Sequence, residues 1–300
     1  MPFHVFSGLA KVSQILYYNS MVNEVQMSGM SFLSRGFSVF LCGAILSCPS
    51  VAGAVDLASH KAIYDIRLTS AKNGSPVLDV RGKMLFVMKK SCDGWISDHK
   101  FDLNYNYSGS PAVQVNTKFT SFEGFDGTLL NFSSNRMSNG EFDQELRGKA
   151  EVLATGKGVA KFSIPEDLSF DLTQGTLFPA GHTVKLIEAA EKGQKFFKAT
   201  VFDGSDEEGP VEINAVIGKK IAAPAAFKLN KDLMGVPGWS MRLAVFPQQG
   251  DSQDIADYEM SMELLENGVV NTMTVDYHDF SVSQKLVAIE PVKAEECGVK

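Results

Sequence analysis

Four histidines stand in the body of the chain, His60, His99, His182 and His278, and a fifth, His4, lies near its start. Imidazole moves protons near neutral pH and binds metals, so their spacing is the first test of chemistry. No two are three or four residues apart, so none pair up on one helix face to hold a metal. Asp276 and His278 would share one face of a strand, with Asp279 beside them. That pattern reads as a polar cluster at a strand edge. A hydrolase would need His182 or His278 to meet a carboxylate and a hydroxyl in space. No Gly-x-Ser-x-Gly elbow occurs. Gly156-Lys157-Gly158 resembles part of a phosphate loop, but Glu151 stands where its first glycine belongs and Gly158 where a magnesium-binding hydroxyl belongs. No Gly-x-Gly-x-x-Gly turn opens a strand–helix unit. Asp206-Glu207-Glu208, followed by Gly209-Pro210, reads as a solvated acidic turn. These residues nominate no catalytic group, no metal site and no cofactor, and the expectation is a protein that is not an enzyme.

The cysteines carry the clearest covalent chemistry. They are Cys42, Cys48, Cys92 and Cys297, with no Cys-x-x-Cys among them, so neither a thioredoxin-type redox site nor a zinc ribbon is suggested. The first two fall in a distinct leader. From Met27 or Met30 the chain reads Met30-Ser31-Phe32-Leu33-Ser34-Arg35, then an apolar run from Phe37 to Leu46, then Ala52-Gly53-Ala54. A positive residue, a short apolar run and a small-x-small site form a secretory signal. The run is too short for a membrane span, which needs about 20 residues. Residues 1–26 or 1–29 precede that signal and fit a mis-assigned start. Lipoprotein processing at Cys48 is the competing cut, a weaker match because Leu46 sits where a small residue is usual. Cleavage near Ala54 would export residues 55–300 from the cytoplasm and leave Cys92 and Cys297, an even pair in a compartment where disulfides persist. Their bridge would hold the tail against an early hairpin; two separate thiols or intermolecular pairing are the alternatives.

The elements that would position these groups are strands. Phe101, Leu103, Tyr105 and Tyr107 alternate with polar residues, as do Leu168, Phe170 and Leu172; Met241, Leu243 and Val245; Tyr258, Met260, Met262 and Leu264; and Met273, Val275 and Tyr277. Period-two alternation marks half-buried strands. Turn signals punctuate them: Asn73-Gly74, Asp93-Gly94, Asp126-Gly127, Asn139-Gly140, Asp203-Gly204 and Asn267-Gly268. The expectation is a mostly β fold, one large antiparallel sheet that curls or closes to limit its edges. Thr183–Lys192 reads as a short helix capped by Thr183, with Leu186, Ile187 and Ala190 as its apolar stripe and Gly193 ending it. Ile221–Met234, Ala-rich and containing Pro224, reads as an irregular crossing with one helical turn. No low-complexity linker divides residues 55–300.

Composition sets outer bounds. Hydrophobic residues at 44% and charged residues at 21% suit a soluble globular domain with an ample core. A net charge of −7 argues against a nucleic-acid partner, which needs a basic face to neutralise phosphates.

Several stretches taken together resemble a known family. They are His60-Lys61-Ala62-Ile63-Tyr64-Asp65, Cys92-Asp93-Gly94-Trp95, Phe178-Pro179-Ala180-Gly181-His182, Leu264-Leu265-Glu266-Asn267-Gly268, Asp276-Tyr277-His278-Asp279-Phe280, and the terminal Cys297. Their order and spacing resemble the cell envelope integrity EipB family of alphaproteobacteria, over roughly His60 to Cys297. Trp95 stands where Tyr is usual in that family, and His278 where Gly is common. The resemblance implies a periplasmic β-spiral, an open curled sheet with a short helix in its concavity, and a Cys92–Cys297 bridge. It implies a role in envelope integrity, a shape like that of periplasmic lipoprotein carriers, and a functional link to a tetratricopeptide-repeat protein. It brings no catalytic residues. The leading expectation is a non-enzymatic periplasmic protein that binds a protein, peptide or envelope component. The alternative is a carrier of lipid, lipoprotein or another apolar ligand in the concave face.

Overall fold

The computed structural model describes residues 55–153, 155–248 and 255–298. The leader, with Cys42, Cys48 and His4, lies outside them. Eight strands come first: β1 (His60–Ala71), β2 (Val77–Lys90), β3 (Gly94–Tyr107), β4 (Val113–Gly124), β5 (Leu129–Ser138), β6 (Glu141–Val152), β7 (Gly158–Ile164) and β8 (Ser169–Leu172). Helix α1 (Pro179–Glu191) follows, then β9 (Phe196–Val201) and β10 (Val211–Ile221). A 3₁₀ turn (Ala225–Lys228) and helix α2 (Lys231–Met234) lead to β11 (Gly238–Pro247), β12 (Tyr258–Leu265), β13 (Val270–Asp276) and β14 (Phe280–Pro291).

The 14 strands of the described residues form one antiparallel sheet, in the order β8 to β1 and then β14 to β9. Two meanders are thus joined where the first strand pairs the last, His60 opposite Pro291 and Ala71 opposite Phe280. The end strands are β8 and β9, neighbours in sequence but at opposite ends of the sheet, and Leu177 makes a parallel bridge to Val201 on the outer edge of β9. The sheet does not close. It curls until the two ends face each other. Phe202, just after β9, packs on Phe132, Phe162 and Phe170 of β5, β7 and β8.

The hairpins turn where the chain permits a left-handed backbone. Asn139 and Gly140, at φ 53° and 82°, join β5 to β6; asparagine and glycine are the residues that accept this conformation most readily. Gly204, at φ 72°, is needed for a second reason: a Cβ there would lie 2.4 Å from the Phe132 ring.

The helix begins one turn before the sequence pattern suggests. Pro179 opens it, and Thr183 is no cap but an interior residue whose hydroxyl donates back to the Pro179 carbonyl at 2.9 Å. Proline suits a first helical position because its missing N–H would be unpaired there in any case. Gly193, at φ 73°, follows the helix end. The Ile221–Met234 crossing contains the 3₁₀ turn and α2, the latter capped by the Asn230 side chain at 3.1 Å from the Asp232 and Leu233 amides.

Cys92 and Cys297 are disulfide-bonded, with Cα atoms 5.5 Å apart and 205 residues between them in sequence. The tail reaches Cys92 by running past β14 beside the start of β1 and the end of β2. The Val292 amide donates to the Ser59 carbonyl and that of Glu295 to the Lys90 carbonyl, both at 3.1 Å.

Candidate functional site

Strand alternation decides which residues line the inside of the curl. On β3 and β4 the inward set is Trp95, Ser97, His99, Phe101, Leu103 and Tyr105, then Val115, Thr117, Phe119, Ser121 and Glu123. Facing them across the hollow are Met241 and Leu243 of β11, Met260, Met262 and Leu264 of β12, and Met273 and Val275 of β13. The inner face is not evenly covered. Leu103, Val115 and Leu264 are buried, whereas Phe86, Met88, His99, Phe101, Phe119, Met260, Met262 and Met273 keep part of their surface open. Met241, Met262 and Met273 lie side by side in register on three adjacent strands. Unbranched, polarizable methionines adapt to occupants of different shape.

Helix α1 fills the other part of the hollow. Leu186, Ile187 and Ala190 are buried and pack with Trp95, Val201, Ile213, Ala215, Met241, Leu243 and Leu264. Trp95 belongs to the hairpin that carries Cys92, and its ring meets Phe125 edge-on at 5.1 Å, with the Lys90 ammonium 5.5 Å above it. The disulfide hairpin and the helix therefore share one core.

A carboxylate fastens the helix across the hollow. Glu123 of β4, only 3% exposed, accepts from the Ala180 amide through Oε2 and from the Gly181 amide through Oε1, both at 2.7 Å. Gly181 makes room for this: a Cβ there would sit 3.1 Å from the carboxylate. The helix N-terminus and its unpaired amides favour a negative charge at this position. Burial opposes them and dominates, so the Glu123 carboxyl is pushed up to about 7. Sequence reasoning did not single out Glu123. The available signal was a charged residue at an inward position of a strand, next to Ser121, Phe119 and Thr117.

The histidines are dispersed. His60 donates through Nδ1–H to the Ala58 carbonyl, 2.7 Å away, and its ring tilts against Phe86 at 5.4 Å. Phe86 meets His99 edge-on at 4.8 Å, and His99 meets Phe119 at 5.7 Å. His182 lies on α1 with its ring 5.8 Å from Phe197. Burial holds the His99 and His182 imidazoles down at about 4, and lowers His60 as well, so all three are neutral at pH 7. His278 is exposed in the turn between β13 and β14. The buried Glu123 carboxylate at the start of α1 accepts from backbone amides.

A groove of about 700 Å³ lies on the outer side of β3–β7, lined by Ile96, Phe122, Lys149 and Lys161 among others. Its cations are largely answered locally, Lys149 by Glu151 at 2.6 Å and Arg147 by Glu145 at 2.8 Å. The acidic turn at Asp206–Glu208 is tied to β6, where Gln144 donates to Glu207 at 2.8 Å. No described helix is long and apolar enough to cross a membrane.

An open, barrel-like antiparallel sheet with a helix lodged against its partly exposed inner face defines a class of non-closed β proteins. Comparison with known proteins agrees with that class. A solved structure from Brucella abortus, described as a beta-barrel-like protein of a domain of unknown function, superposes with a TM-score of 0.75 at 32% identity, over 80% of this chain and all of that one. The EipB-like family model matches residues 51–293, and the cell envelope integrity protein EipB of Brucella abortus is 33% identical over 264 residues, 86% of this chain and 92% of that protein. The chain belongs to the EipB-like family.

Proposed function

We propose that this protein supports the integrity of the cell envelope from the periplasm as a non-enzymatic binding protein, and that it takes an apolar chain on the inner face of its curled sheet. The envelope role rests on its similarity to a relative bearing that name. The binding role rests on one observation: Phe86, Phe101, Phe119, Met260, Met262 and Met273 face inward yet stay partly open. A domain of this size normally fills its interior to crystal-like density. Apolar side chains left half-covered inside a curl mark the default place for a ligand.

Two experiments test this. Deletion of the gene is expected to sensitise the cell to detergents and cell-wall antibiotics; unchanged sensitivity would refute the envelope role. Protein purified from its own host and extracted for lipid mass spectrometry is expected to yield a bound amphiphile. Protein that is consistently empty, and that fails to take up a fluorescent acyl probe, would refute the binding role.

A further inference from the structure

One inward-facing cation remains incompletely answered. Arg136 of β5 shares the inner face with Leu130, Phe132 and Ser134 and is 5% exposed. A bulge between β5 and β6 at Arg136 and Met137 leaves Asp143 as the extra residue on β6. Its carboxylate takes the Arg136 Nε–H at 2.5 Å and the Ser138 hydroxyl at 3.2 Å. The guanidinium is therefore engaged at one nitrogen. Nη1 is buried and has no hydrogen-bond partner.

The neighbouring strand repeats the deficit. Thr117 of β4 stands directly opposite Arg136 in register, and its hydroxyl is also buried without a partner. A guanidinium N–H and a hydroxyl on adjacent strands, both lacking partners, form a pair of donors. Leaving such groups unsatisfied is expensive, and an unpaired buried polar atom in a native protein asks for a partner, an ordered water or a bound anion among them. An oxyanion suits this pair, because carboxylate and phosphate oxygens make the strongest hydrogen bonds to arginine. The surroundings define the rest of the ligand. Phe101 lies opposite Thr117 on β3, Phe119 lies two residues along β4, and both are partly open.

We propose that Arg136 and Thr117 receive the anionic head, a carboxylate or phosphate, of a single-chain amphiphile whose tail runs over Phe101 and Phe119. This rests on the reading of the inner face as an apolar binding site and adds to it the charge and orientation of the ligand. Asp143 would hold the guanidinium in place through Nε while Nη1 and the Thr117 hydroxyl meet the head.

The test compares oleate, methyl oleate, oleoyl lysophosphatidic acid and inorganic phosphate for displacement of a fluorescent acyl probe from the oxidised domain. Wild type is expected to bind oleate and the lysophosphatidic acid about tenfold more tightly than the uncharged ester. Thr117→Val, which keeps the shape and the Arg136–Asp143 pair, is expected to weaken the two anions several-fold and leave the ester unchanged. Arg136→Met is expected to abolish the preference. Equal binding of acid and ester by wild type, or an undiminished preference in Thr117→Val, would overturn the assignment while leaving apolar binding intact. Failure of all three amphiphiles to displace the probe would instead refute the apolar site itself. Phosphate alone saturating Arg136 at micromolar concentration, without competing with the probe, would reassign the pair to a free anion and overturn the amphiphile.

Discussion

Replacing Glu123 with Gln tests how the helix is held. The carboxyl moves from 4.5 in the unfolded chain to about 7 in the folded protein, because burial outweighs two amide hydrogen bonds. The folded state thus holds its proton more tightly than the unfolded state does. Its contribution to stability is fully present below pH 4.5 and is lost as pH rises through 7. At 1.36 kcal/mol for each pH unit between the two values, the change is about 3 kcal/mol. His60, His99 and His182 act in the opposite sense. Their depressed values remove stability as pH falls below 6.5, down toward 4 for His99 and His182, so the wild-type curve alone is ambiguous. The difference between wild type and Glu123→Gln cancels the histidines and isolates the carboxyl. Urea unfolding of both proteins at intervals from pH 4.5 to 8 should show wild type losing about 3 kcal/mol relative to the variant. A carbon-detected titration of the same carboxyl should have its midpoint near 7. Parallel stability curves, or a midpoint at the ordinary 4.5, would show that the helix amides hold the carboxylate charged and that the reasoning from burial is wrong.

Other perturbations probe the remaining elements. Cys92→Ser should lower thermal stability under oxidising conditions, since a loop of 205 residues is closed and the chain-entropy model assigns such a loop about 5 kcal/mol; equal melting temperatures for variant and wild type would show the bridge to be energetically idle. Ile187→Ala, at a fully buried helix position, should cost about 2–5 kcal/mol in chemical denaturation, and a cost below 1 kcal/mol would mean that the helix is loosely seated. Gly204→Ala combines a left-handed backbone with a collision against Phe132, so it should destabilise more than Gly74→Ala, where a Cβ meets nothing; comparable melting temperatures would contradict the close approach of the two sheet ends.

The strands were legible because alternation is local. Phe101, Leu103 and Tyr105 show their common face in the spacing of a few residues, and Asn139-Gly140 shows its turn in two. The short helix was legible in its Leu186, Ile187 and Ala190 stripe, though not its start: Pro179 could open a helix or end a loop, and the Glu123 carboxylate that receives the first amides lies 57 residues away. The same limit hid the inner face. Alternation states that Glu123 and Arg136 point to the same side as Phe119 and Phe132, but not whether that side is solvent or core. The curl decides this by pairing β1 with β14 and leaving β8 and β9 as facing ends. Short-range patterning thus determined the elements and their faces. Only the long-range curl of the sheet determined which polar groups are buried, which are left without partners, and which inward side chains stay partly exposed.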